Sequence, residues 1–210
     1  MNINDIENYI YNNSLYPFKD SYNFLIVNTT NNDILLGFKE VLLDSYTLKI
    51  DDDNTLIFYY DSFDSSIKEL IGLINDDFGE NLKINVGFKI YKDISGENIL
   101  NYYSFIKDFF KTTNKNYTSF ISLVCLQDLA NKQKYLSLIK NNVIDRLLKD
   151  ERNKEFINIY FKNNLNVLKT SKDIYISRSS VIFRIKSIKK NFGIDLQVLE
   201  DICGLYYLLN

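Results

Sequence analysis

Histidine is absent from the 210 residues. Without it there is no Ser-His-Asp or Cys-His catalysis, no zinc-histidine site and no side chain that ordinarily shuttles protons near neutral pH. Catalysis would have to run on carboxylates, lysine, tyrosine or a nucleotide-bound metal; no enzyme, no metal and no cofactor is expected. The two cysteines, Cys125 and Cys203, lie far apart with no C-x-x-C spacing. That gives neither a disulfide framework nor a thiolate zinc site, and predicts buried free thiols. Proline occurs once, as Pro17, and no Pro/Gly-rich linker divides the chain. Alanine also occurs once, at Ala130, beside abundant Asn, Ile, Lys and Tyr, which is the coding bias of an AT-rich genome. No apolar run approaches the ~20 residues that cross a bilayer. The N-terminal residues, with Asp5 and Glu7, lack a signal peptide's basic start and apolar stretch. A cytoplasmic location without membrane contact is expected.

What is present is the balance of a folded globular protein, 46% hydrophobic and 25% charged, in a chain long enough to bury a core and to hold a domain plus a small module. The charge is unevenly spread. Residues 1–130 carry 10 Lys/Arg against 19 Asp/Glu and residues 131–210 carry 15 against 8, so the net charge of -2 divides into -9 and +7. Within 162–190, eight basic residues stand beside a single acid, Asp173. A local cation cluster on an otherwise acidic chain is what a phosphate-binding module needs.

After a polar helical lead, Tyr22 to Thr29 reads as a buried strand and Ile34 to Leu43 as a short helix. Thr47 to Ile50 and Thr55 to Tyr60 flank the polar turn Asp51-Asp52-Asp53-Asn54, a hairpin. A helix is expected over Ser65 to Asn75 and a strand over Asn81 to Tyr91 with Gly87 inside it. A helix from Glu97 to about Phe110, with Leu100, Tyr103 and Ile106 as its core stripe, and a strand over Phe120 to Val124 complete the set. Beyond Leu126 the signals are all helical: around Tyr135 to Ile139, Val143 to Lys149 and Lys154 to Lys162. The expected fold class is α+β, an α/β sheet domain over 1–130 followed by an all-helical domain over 131–210 whose core is 156–210.

The informative stretch is Tyr160 to Gly193, YFKNNLNVLKTSKDIYISRSSVIFRIKSIKKNFG. Asn166 is a good N-cap for a helix Val167 to Ile174; a short turn passes through Tyr175 and Ile176; Ser177 caps a longer helix to about Asn191, which Gly193 stops. On the second helix Val181, Ile185 and Ile188 fall at i, i+4 and i+7 and point inward, leaving Arg178, Ser179, Ile182, Lys186 and Lys189 outside. A short helix, a tight turn and a basic second helix is the layout of a helix-turn-helix, in which the first turn of the second helix meets base edges in the major groove.

These residues resemble the C-terminal helix-turn-helix of the purine-catabolism and sugar-diacid regulators (PucR/CdaR type), and more distantly the Fis-type unit. Tyr160, Asn164, Asn166, Thr170, Ile174, Ile176, Arg178, Arg184, Ile188, Gly193, Asp195 and Leu196 match that pattern, with Ser180, Val181, Phe183 and Ile185 as close substitutes. Ser177 stands where the pattern has His, Ser179 where it has Asn, Ile182 where it often has Arg and Leu165 where it often has Gly. The resemblance implies a degenerate GGDEF-like domain before the helix-turn-helix, and an effector that is an unidentified small molecule or protein. In that comparison the hairpin tip that would carry Gly-Gly-Asp-Glu is Asp51-Asp52-Asp53-Asn54, without the glycines that let a backbone approach a nucleotide. The strand ending Val27-Asn28-Thr29 also lacks carboxylates for magnesium, so cyclase chemistry is rejected.

The expected function is sequence-specific binding of double-stranded DNA by a homodimeric transcriptional regulator. Arg178 suits bidentate readout of guanine, Ser177 and Ser180 short polar contacts to a base or phosphate, and Phe183 a thymine methyl; Ser179 joins the base-facing set through the resemblance. Lys169, Lys186, Lys189 and Lys190 suit phosphates. Arg184 either contacts a phosphate or braces the helix pair, and Asn166 and Thr170 join the set through the resemblance. The alternative is an interaction adaptor that keeps the fold and binds another protein through the Tyr/Leu-rich tail Leu205 to Leu209.

Overall fold

The apolar run Phe24-Leu25-Ile26-Val27 becomes the central strand of the sheet. In the computed structural model, which describes residues 2–62, 67, 72–74, 76, 82–125 and 132–209, β1 (Asn23–Val27) pairs antiparallel with β4 (Thr55–Tyr59) on one side and with β6 (Ile84–Val86) on the other. β3 (Tyr46–Lys49) and β7 (Tyr117–Ser119) close the edges, giving the order β3-β4-β1-β6-β7, with β6 and β7 parallel. β2 (Leu42–Leu43) and β5 (Asp61–Ser62) pair separately.

Every residue from Phe24 to Val27 is buried because both faces of the sheet are covered. Side chains alternate between two cores. Phe24, Ile26, Leu56 and Phe58 meet α1 (Ile3–Asn12) and α3 (Gly96–Thr112), whereas Leu25, Val27, Ile57 and Tyr59 meet α2 (Asn32–Val41). Helix starts follow local chemistry: the side chains of Asn2, Asn31 and Ser95 each accept a backbone N–H of the first turn they precede.

Three expectations shift. Of the strand expected over Asn81 to Tyr91, only Ile84–Val86 pairs continuously among the described residues. The Phe24 ring occupies the space above Gly87, where an added Cβ would lie 2.2 Å from ring carbon; Gly87 N–H still donates to Phe24 O at 3.0 Å, and the ladder next pairs at the Tyr22–Ile90 bridge. The strand expected over Phe120 to Val124 is instead β7, three residues earlier, followed by a 3-10 turn over Ser122–Cys125; its apolar residues are buried in both cases, so periodicity could not separate the two. The buried stripe of α3 is Ile99, Tyr102, Tyr103, Phe105, Ile106 and Phe110, with Leu100 at its margin. The helix expected over Ser65 to Asn75 lies largely outside the described residues; Ile67 and Gly72 to Ile74 are helical.

The C-terminal region is helical: α4 (Lys132–Ile139), a π turn over Lys140–Ile144, α5 (Asp145–Lys149), α6 (Glu151–Lys162), α7 (Val167–Asp173), α8 (Arg178–Phe192) and α9 (Leu199–Leu209). This is the expected α+β order, a mixed sheet region followed by helices. One hydrophobic cluster joins the two regions, running from Phe24 and Phe88 through Phe120, Tyr135 and Phe156 to Val181, Ile185 and Ile188. Tyr135 crosses between them directly, donating its hydroxyl to Phe120 O at 2.5 Å.

Candidate nucleic-acid interface

Three helix ends and two caps shape the α6–α7–α8 segment. After α6, Leu165 N–H reaches back to Tyr160 O at 2.9 Å while Asn164 and Leu165 take φ of 52° and 62°. This is the left-handed region, and Leu165 is the position at which the resembled pattern carries glycine. Asn166 then caps α7, accepting Lys169 N–H at 2.9 Å. α7 ends the same way as α6: Ile174 N–H bonds to Thr170 O, Ile176 N–H bonds to Ser171 O, and Tyr175 between them has φ 54°. Ile176 packs on the core while the Tyr175 side chain is 94% exposed.

The second cap is Ser177, whose Oγ accepts Ser180 N–H at 3.1 Å and lies 2.8 Å from the hydroxyls of both Ser179 and Ser180. Three hydroxyls therefore cluster at the positive end of a 15-residue helix, with Arg178 beside them, and all four residues are exposed. Val181, Ile185 and Ile188 are buried, which turns Ile182, Phe183 and Lys186 outward; Phe183 is 72% exposed. At the far end Gly193 takes φ 72° and closes α8.

The remaining expected site residues divide. Asn166, Lys169, Lys186, Lys189 and Lys190 are exposed. Lys189 pairs with Asp195 at 2.7 Å, and the carbonyl of Lys190 receives Lys89 Nζ at 3.1 Å. Arg184 is partly covered: Nη1 donates to Arg152 O at 3.2 Å and the guanidinium lies 5.7 Å from the Phe156 ring centroid, so it ties α8 to α6. Thr170 is fully buried and its hydroxyl has no partner among the described residues; it stands apart from the exposed face. Sequence reading did not single out Leu168 and Tyr175, whose apolar side chains are exposed on α7 and in the turn. An aromatic between two helix signals was the available clue to Tyr175.

Behind α8, Asp201 of α9 is buried and accepts Ser119 Oγ at 2.6 Å and Asp195 N–H at 2.9 Å. Burial raises its carboxyl above the usual range, and these two hydrogen bonds offset that only in part. It fixes the turn after α8 to β7. The expectation of buried thiols is corrected: Cys125 and Cys203 are both exposed. Gly204 and Leu205 take the buried side of α9, and Leu123 and Val124 that of the 3-10 turn, which leaves the two cysteines on the rim of an apolar groove with Phe161, Leu165, Ile202 and Tyr206. Burial and the neighbouring Cys203 push the Cys125 thiol up.

No protein-family model and no curated protein matches the chain. Among solved structures, the chain is similar to the crystal structure of a regulator of polyketide synthase expression from Bifidobacterium adolescentis, with 12% identity and a TM-score of 0.44 over 92% of this chain and 81% of that one.

Proposed function

We propose that the chain is a sequence-specific DNA-binding transcriptional regulator of the PucR/CdaR kind, reading the major groove with the first turn of α8. The observation that carries this reading is the exposed set Ser177, Arg178, Ser179 and Ser180 at a capped helix start, presented by a helix and a tight turn. Arg178 pairs with guanine, the serines make short contacts to a base or phosphate, and Phe183 meets a thymine methyl. Asn166, Lys169, Lys186 and Lys190 hold the backbone; Lys189 joins them at the expense of its pairing with Asp195. One such helix covers few base pairs, so a homodimer with helices about 34 Å apart would read two half-sites. Binding of purified protein to labelled genomic fragments at two salt concentrations tests the reading. Selective, salt-sensitive retention is expected, and uniform failure to bind at low salt overturns it. Light scattering at micromolar concentration tests the dimer.

The groove beside α9 favours a second reading, an interaction adaptor. Tyr206 and Tyr207 are half-exposed on it and Phe161 lines it. An adaptor shows no salt-dependent affinity for DNA.

A further inference from the structure

We infer that the polar cleft where α5 faces the last residues of α8 is a binding site for a small free molecule bearing a carboxylate or phosphate group. The cleft measures about 540 Å³, the size of a small-metabolite site. Its charged lining is Lys89, Arg146 and Lys149 against Asp93 and Asp145, a positive balance that disfavours a cation, and its many polar groups disfavour an apolar ligand.

Arg146 sits among the polar groups of this cleft. Its guanidinium lies over the Tyr91 ring, 4.8 Å from the centroid, and Nη2 is paired with Asp93. Its Nε is buried with no hydrogen-bond acceptor among the described residues. A guanidinium offers two adjacent N–H groups to an oxyanion in a planar fork, and here Nη2 is taken by Asp93 while the Nε–H has no acceptor among the described residues. An oxyanion drawn to that N–H supplies the missing acceptor, with Lys149 at the rim as a second cation. The wall beside it is the π turn over Lys140–Ile144, which contributes Asn141; such wide turns recur at functional sites.

The opposite wall is the end of α8. Tyr91 donates to Asn191 O at 2.5 Å and Lys89 to Lys190 O at 3.1 Å. Asn191 lies 13 residues past Arg178, about 20 Å along the helix at 1.5 Å per residue. That distance places the cleft outside the groove read by the first turn but next to Lys190, at the margin of the proposed backbone contacts. The inference rests on the cleft's own lining, and a DNA duplex is a separate arm of its test.

The test is amide chemical shifts of the full chain, titrated with sodium phosphate, with sodium malonate and with a DNA duplex, each against sodium chloride at equal ionic strength. Saturable shifts at Asn141, Lys149 and Asn191 are expected with at least one anion. They should weaken by about tenfold in Lys149→Ala, the worth of one charge-assisted contact, and also in Arg146→Gln. Lys149 is exposed, so its variant keeps the fold if Arg146→Gln does not. Absence of saturable shifts with both anions, or equal shifts in Lys149→Ala, overturns the inference. Shifts produced only by a DNA duplex also overturn it, since they assign the cleft to the nucleic-acid backbone.

Discussion

The hydroxyl of Tyr103 donates to the carboxylate of Asp51, and Lys107, one turn further along α3, closes on the same oxygen at 2.8 Å. The other carboxylate oxygen accepts the backbone N–H groups of Asp53 and Asn54, each at 2.9 Å. The hairpin tip is thus sewn to α3.

Burial pushes the Asp51 carboxyl up, but Lys107, Tyr103 and the N–H groups outweigh it and hold the group well below the usual 3.8. A folded-state value below the unfolded one gives stability that is present above the unfolded value and lost as pH falls through the folded one. Asp51→Asn is expected to cost about 1–2 kcal/mol at pH 7, with the gap from the parent closing as pH falls below about 4. Urea unfolding at pH 7 and pH 3 measures both.

The same engagement leaves the tip no carboxylate at Asp51 for a nucleotide-bound metal. No fluorescence change of a labelled GTP analogue and no cyclic dinucleotide product are expected; saturable GTP binding lost in Asp51→Asn would sink this.

Tyr175 holds a left-handed backbone that costs an L-residue roughly 1–2 kcal/mol, and its exposed ring contributes little packing in return. Tyr175→Gly is therefore expected to hold or raise the melting temperature, by up to about 4 °C. Tyr175→Val, branched at Cβ, should lower it. Calorimetry on the three proteins decides.

Arg178 and Lys190 differ in position on α8 and should differ in effect. Arg178→Ala is expected to cost about 1–3 kcal/mol on a preferred site and much less on random DNA. Lys190→Ala should weaken both alike and lower the salt slope by about one. Neither belongs to the buried stripe, so circular dichroism should show both folded. Equal, sequence-independent losses would reduce Arg178 to a phosphate contact.

Arg184 reaches Arg152 O and the Phe156 ring, so Arg184→Ala should cost about 1–2 kcal/mol of stability. Arg184→Lys should fail to restore it, lacking the planar fork. A full rescue by lysine, with DNA affinity as the only quantity changed, would assign Arg184 to a phosphate instead.

Features set by a residue and its near neighbours were legible in the sequence. Asn166, Ser177 and Gly193 bound their helices because capping acts over three or four residues, and Val181, Ile185 and Ile188 turned inward because helical period alone decides it. Features set by distant partners were not. Only glycine fits at position 87 because a ring from β1 lies over it, and Cys203 is exposed because Gly204 and Leu205 face the 3-10 turn. The attachment of Lys89 and Tyr91 to the end of α8 joins residues about a hundred positions apart, beyond any local pattern.

The single hydrophobic cluster running from Phe24 to Ile188 has a genetic consequence. Val181 and Phe24 draw on one packing network, so a cavity opened under the central strand loosens the seat of α8 as well. Phe24→Ala, at about 3–5 kcal/mol for a fully buried phenylalanine, removes a large part of the 5–15 kcal/mol typical of a folded chain. If the proposed DNA binding holds, a screen for its loss should return sites scattered through the sheet and α3 in greater number than the few positions on the outer face of α8.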